Sequence, residues 1–413
     1  MSSRESWRFC APACALALVA LAGCGPRQGG GGSEGGAGAE ASGGSGPDAA
    51  GEAGTSGTGG ATAGGAAGIG AVAGAGAGAG GAADEDAGYD GVVGCAAVAW
   101  PEVATFTLIG SMSDRFFPNA LSGDGQVVGG AHDSVPVRWR ADTGFAPIPG
   151  IDGAPIQLSC QGDVAVARAF SSGIYRESSS DGLEYLFGNA NDPAYPVSLS
   201  PDGSVIVGNL DESYAGPFPV RWTRDAGAEL IEELANSLVY STSPDGVSLL
   251  GADILHIFRW QAGAGKSALL LHAPLAFDGP PTMPVSADGK VFAFSPRTTL
   301  DAMMVARSLD EQPQLVECPY APCAPIDLSG TGKVVLMWGD SPDARGTRIW
   351  TAEHGFRNLG DLIREFGGDT QGRVVSASYI SDDGQAFAGL ATDPNNPLDY
   401  QGFYATLPAA AYP

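Results

Sequence analysis

Ser200-Pro201-Asp202-Gly203-Ser204-Val205-Ile206-Val207-Gly208 is the stretch on which the fold depends. Asp-Gly behind a short apolar run makes a tight hairpin turn, because Gly accepts a positive φ and the Asp side chain bonds nearby backbone. The β-branched residues that follow suit a pleated strand. The same order returns at Ser122 (SGDGQVVGG), Ser159 (SCQGDVAVA), Ser243 (SPDGVSLLG), Ser286 (SADGKVFAF), Ser329 (SGTGKVVLM) and Ser381 (SDDGQAFAG). The turn glycines Gly125, Gly162, Gly203, Gly246, Gly289, Gly332 and Gly384 recur with a period of about 40 residues, the length of one four-stranded propeller blade.

A later strand of each unit carries Val137-Arg138-Trp139, Val220-Arg221-Trp222, Phe258-Arg259-Trp260 or Arg348-Ile349-Trp350. Four strands in so short a unit leave no room for crossover helices, so the sheets must be antiparallel. The last unit ends one strand short, after Gly402–Leu407, while residues 104–110 precede the first unit as an orphan strand. If the orphan completes the last blade, no sheet edge stays open. The expected fold is all-β, a propeller of about seven blades closed by an N-terminal strand. Six blades, or a β-sandwich or pair of barrels, are the alternatives.

Asp124, Asp202, Asp245, Asp288 and Asp383 recur once per unit, and Arg138, Arg221, Arg259 and Arg348 recur on the later strand. A guanidinium packed between blades needs an acceptor, so these arginines are expected to bond the Asp turns or nearby carbonyls and staple blade to blade. The rival reading is a ring of charges that lines the channel and binds an ion.

The Ser-x-Asp-Gly, Val-rich strand, Arg-Trp succession resembles the HAF-type extracellular repeat over about residues 104 to 407, and the Ser-Pro-Asp-Gly turns resemble those of TolB-like propellers. Gln161 and Thr331 depart from the pattern, and no Arg-Trp follows the second turn. The resemblance implies an exported β-propeller and brings no motif of catalytic residues.

Arg4 and Arg8 precede an apolar stretch, Ala11 to Ala20, too short to span a bilayer. It ends in Leu21-Ala22-Gly23-Cys24, which resembles the lipobox of bacterial lipoproteins. That resemblance implies cleavage of residues 1–23 and acylation of Cys24, and in a Gram-negative host Gly25 in place of Asp favours the outer membrane. Residues 25–91 are almost wholly Gly, Ala, Ser and Thr and cannot bury enough surface to offset ordering. They read as a disordered leash with a reach of roughly 45 Å. Residues 92–413 form the folded domain.

With 46 acids against 21 bases the formal charge is −25, which repels phosphate backbones and makes nucleic acid a poor partner. Cys95, Cys160, Cys318 and Cys323 are an even set in an oxidising compartment, read as Cys318–Cys323 and Cys95–Cys160 disulfides. A zinc site is the rival, but no His lies near Cys318 to complete it.

Trp260-Gln-Ala-Gly-Ala-Gly-Lys-Ser267 lacks the first Gly of a phosphate loop and reads as a hairpin. Gly76, Gly78 and Gly81 match a dinucleotide fingerprint only because the leash repeats Gly and Ala. His132, His256, His272 and His354 have no metal-ligand spacing, and Asp84, Glu85, Asp86 and Asp90 lack that of a calcium loop. No cofactor is expected.

The expected function is a non-enzymatic binding or interaction module on the cell envelope, facing periplasm or cell surface, with an envelope protein or glycan as partner. The alternative is an envelope glycoside hydrolase or polysaccharide lyase in the propeller mouth.

Overall fold

The computed structural model describes residues 95, 98–111, 115–151, 153, 155–169, 173–189, 193–212, 216–243, 245–253, 256–271, 283–295, 301–307, 311–319, 323–341 and 344–412. The signal-like segment, Cys24, the Gly/Ala-rich stretch with its acidic end, and His272 lie outside them. The chain forms seven antiparallel sheets arranged as the blades of a β-propeller. The first blade is typical, with strands Phe116–Leu121, Val128–His132, Val135–Arg140 and Gly144–Pro147 in sequence order. From the sixth blade through the seventh and first to the fourth, the first strands of successive blades pack on one another around the axis.

Closure follows the strand count. Thr105–Ile109 pairs antiparallel with Asn396–Thr406, Thr105 opposite Thr406 and Ile109 opposite Gly402. Thr105 and Thr406 join hydroxyls at 2.8 Å, and Phe106 stacks on Phe403 at 5.5 Å. The N-terminal strand is therefore the outer edge of the seventh blade.

Two blades depart from the common plan. In the fifth, strands Phe292–Phe294, Ala302–Ala306 and Gln314–Glu317 are joined on the axial side by a single bridge, Val285 to Phe292. Between the sixth and seventh blades, where the repeat is longest, the chain makes a helix at Leu359–Glu365. Asn358 caps it by accepting from the Asp361 amide, and Leu359, Leu362 and Ile363 are buried against Ile349 and Val375.

Each repeat turn is built on its serine. Ser200 Oγ donates to Asp202 Oδ1 at 2.7 Å and accepts from the Val205 amide at 2.9 Å, while Asp202 Oδ1 accepts from the Ser204 amide at 3.0 Å. Ser122, Ser243, Ser286 and Ser381 repeat this arrangement. The two turns without the Asp form the same way. Ser159 donates to Asp163 instead, and Ser329 pairs with Thr331.

The turn glycines have φ between +66 and +79°, the region only Gly enters freely. Most are also clamped by the preceding blade. A Cβ on Gly203 would lie 2.7 Å from Val164, and one on Gly246 would lie 2.5 Å from Val205. Gly289 is the exception, with nothing within 4 Å. The equivalent residue of the fourth blade is Ser248, too small to reach it, so the junction between fourth and fifth blades is the looser seam.

Gly203→Ala should therefore destabilise more than Gly289→Ala, although both strain the backbone by about 1 kcal/mol. Paired thermal melts check this, and equal losses would show that packing on Val164 adds nothing. Ser200→Ala should cost about 1–3 kcal/mol by stranding the buried Val205 amide.

Candidate functional site

The two ends of the propeller axis differ. At the turn end, backbone hydrogen bonds cross five of the seven blade junctions among the described residues, forming most of a wreath. Asp124 N donates to Cys160 O at 2.8 Å, Cys160 N to Pro201 O at 2.8 Å, and Ala287 N to Gly330 O at 2.9 Å. Thr331 N donates to Asp382 O at 3.0 Å and Asp382 N to Gly123 O at 2.8 Å. The residues behind the turn serines are mostly small, which lets the peptides approach.

The chain enters the described fold across this wreath. Cys95 is disulfide-bonded to Cys160 of the second blade, and its amide donates to Asp382 Oδ2 of the seventh at 3.3 Å. Trp100 Nε1 donates to Asp383 Oδ2, and the Trp100 ring covers Gly125. Cys95, Cys160 and Asp382 bring ligand-type atoms within 4.8 Å of one another. Two of them are disulfide sulfurs, which offer no thiolate to a metal.

The recurring acids are occupied in their own turns. Burial raises Asp202, but the Ser200 hydroxyl and the Ser204 amide and hydroxyl outweigh it, so its carboxyl lies below the ordinary value. The arginines reach backbone instead. Arg221 Nε donates to Gly246 O of the next blade at 2.8 Å, and Arg138 Nη2 to Asp163 O at 3.1 Å. Arg259 stays within its own blade, donating to Ser248 Oγ at 3.1 Å beside the looser seam.

Register shows what the motif grouping missed. Arg138, Arg221 and Arg259 stand opposite Gly129, Val207 and Leu250, whereas Arg348 stands opposite Met337 and Ile349 takes the equivalent position. Arg348 thus points to the other face of its sheet. Arg176 holds the arginine position of the second blade, and its Nε donates to Gly203 O at 3.2 Å. Tyr404 holds it in the seventh and donates to Gly125 O at 2.9 Å. Glu177 occupies the Trp position of the second blade and pairs with Arg138 of the first. Counting back from the strand turn could have found Arg176 and Tyr404; nothing local announces the Glu177 pair.

Polar side chains along the axis also join blades. Gln157 Nε2 donates to Val197 O at 3.1 Å, and Ser198 Oγ accepts from Thr242 N at 3.3 Å. Asp327 of the sixth blade accepts from Ile380 N of the seventh at 3.0 Å and from Leu328 N at 2.9 Å. Burial still pushes Asp327 up to about 7, with a smaller upward push from Asp382. Asp382 is raised to about 6, chiefly by burial and then by Asp383 and Asp124, against the Cys95 amide. Burial raises the Tyr379 hydroxyl too, and the Asp327 charge adds to it.

The opposite end carries the hairpins between second and third strands and the connections between blades. There Arg168 lies over the Tyr195 ring at 4.2 Å, Arg115 over Tyr400 at 5.3 Å, and Trp338 is 47% exposed. The Cys318–Cys323 disulfide closes a short loop at this end. His132 stacks on Phe145, His256 bonds Asp253, and His354 sits in a hairpin of the sixth blade. These three do not converge.

Sheet order and closure define the molecule as a seven-bladed β-propeller. No family model and no curated protein matches the chain. Among solved structures it is similar to an oligogalacturonate lyase in complex with manganese, with TM-score 0.51 and 12% identity over 76% of this chain and 93% of that one. It is also similar to an oligogalacturonate lyase from Vibrio parahaemolyticus, with TM-score 0.52 and 11% identity over 75% and 98%. Likeness at such identity carries the fold. Among the described residues no His or carboxylate cluster is arranged to hold a metal beyond the disulfide-blocked one.

Because folded Asp327 keeps its proton to higher pH than an unfolded Asp, its contribution is greatest at low pH and is lost as pH rises towards about 7. Stability should fall by about 1 kcal/mol between pH 6 and 8, and Asp327→Asn should flatten that fall. Denaturant titrations at both pH values test it; parallel slopes for variant and wild type would refute the assignment.

Proposed function

We propose that this chain is an envelope-anchored lipoprotein, acylated on Cys24, whose propeller is a non-enzymatic binding or interaction module for an envelope protein or glycan. The difference between the two ends carries this reading. The end where the chain enters is covered by the wreath, the Cys95–Cys160 disulfide and Trp100. The recurring Asp residues are taken up within their own turns, and Arg138 and Arg221 reach the backbone of the next blade. The opposite end is left for a ligand, and a mouth of this kind is where propellers offer concave surface. A leash on Cys24 would keep the module at an outer-membrane surface, facing periplasm or exterior.

A second reading, an envelope enzyme acting on polysaccharide, is favoured by the likeness to two lyases and by Asp327 and Asp382. Carboxyls raised to about 7 and about 6 are in the range of a general acid. Against it, both Asp327 oxygens already accept backbone amides.

Two measurements test the proposal. Labelled fatty acid should enter the full-length chain expressed in a lipoprotein-making bacterium, and Cys24→Ser should abolish it. A glycan and envelope-protein array probed with the full chain should show retention without product. Release of new sugar ends, lost in Asp382→Asn, would establish the enzyme instead.

A further inference from the structure

We infer that the end opposite the chain's entry is a recognition face for an anionic, carboxylated polysaccharide, a reading that deepens and rests on the binding function above. Its elements are Arg168 stacked on Tyr195, Arg115 stacked on Tyr400, and the exposed Trp338.

The arginines stand out by their partners. Among the described residues most guanidinium groups meet a carboxylate, as in Arg138–Glu177, Arg176–Asp181, Arg357–Glu365 and Arg373–Asp399, or a backbone carbonyl, as Arg221 does, while Arg259 meets the Ser248 hydroxyl and Arg176 also lies over Trp222. Arg168 and Arg115 lie on tyrosine rings instead. Arg168 Nε is buried without a hydrogen-bond partner among the described residues, and Arg115 Nη1 donates to the Tyr400 hydroxyl at 3.1 Å. In a chain with 46 acids and 21 bases, two cations held without a carboxylate at one end need a physical reason. A ring fixes a guanidinium by cation–π attraction without using up its fork of donors, which then matches a carboxylate supplied from outside.

Acids at the same end are partly neutralised, Asp399 by Arg373 and Asp253 by Lys266. Asp133 and Asp393 stand at hairpin tips, and the Asp133 amide donates to the Arg115 carbonyl at 3.2 Å, so the Arg168–Tyr195 pair is the stronger of the two for an anion. Tyr195, beneath Arg168, is 38% exposed, and Trp338 of the sixth blade is 47% exposed, so the same end offers flat apolar surface for the C–H faces of sugar rings. Placement also fits. Arg168 ends the second strand of the second blade, Tyr195 begins the first strand of the third, and Arg115 leads into the first strand of the first. All are at strand ends away from the turns, so a polymer laid across the mouth would pass both pairs. Carboxylated and sulfated polymers share the guanidinium chemistry, and the test separates them.

Affinity electrophoresis or calorimetry of the full-length chain should show binding to alginate and none to neutral dextran. Arg168→Gln and Arg115→Gln should each weaken it about tenfold, and Trp338→Ala, an exposed position where folding is not at stake, should weaken it as well. Melting temperatures of the three variants check the fold. Absent alginate binding, binding unchanged in correctly folded variants, or retention by dextran sulfate alone would each overturn the assignment. An array hit on an envelope protein that ignores these substitutions would overturn it too, while leaving the broader binding function standing.

Discussion

A buried hydroxyl holds this molecule together. In six of the repeat turns the serine is at most 1% exposed. Its oxygen accepts from the amide five residues on and donates to the turn carboxylate or its substitute. An unpaired amide at such a place would cost more than the bond itself contributes, so the serine is the position the turn can least do without. The Asp is more replaceable. Asp163 satisfies Ser159 from two residues further on, Thr331 satisfies Ser329 from the Asp's own position, and the blades they serve remain complete.

With the turn fixed, the rest of the axis follows. The Gly at its corner presents a bare α-carbon to the preceding blade and a carbonyl to that blade's third strand. Gly203 and Gly246 are packed by Val164 and Val205, and their carbonyls receive Arg176 and Arg221. Gly125 receives Tyr404 where the ring closes. One corner therefore serves backbone geometry, side-chain packing and inter-blade hydrogen bonding together. Where Ser248 replaces the packing Val, Arg259 also fails to cross the junction, so the two contacts lapse together.

The structural difference between the two ends is a consequence of the same corner. Turns drawn close about the axis make one end a peptide wreath, which the entering chain then covers, and the proposed ligand chemistry falls to the end where blade connections vary in length. The charged residues that repeat are occupied in their own turns, as Asp202 is, or by a neighbouring turn carbonyl, as Arg221 is. Candidate recognition residues are the unrepeated ones, Arg115, Arg168 and Trp338.

The sequence by itself determined the period, the turn chemistry, the antiparallel sheets and the pairing of residues 104–110 with the last unit, because each is written in local order. It also marked the four cysteines that pair. It grouped Arg348 with the other blade arginines, yet a shift of one residue against the Trp sends that side chain to the other face. Only the tertiary structure brought Glu177 to Arg138, Cys95 to Asp382 across 287 residues, and Asp327 to the amide of Ile380. Strand alternation tells a residue which face it occupies. It does not say what stands across the junction, and the burial that sets Asp327 and Asp382 apart exists only once the blades close around one axis.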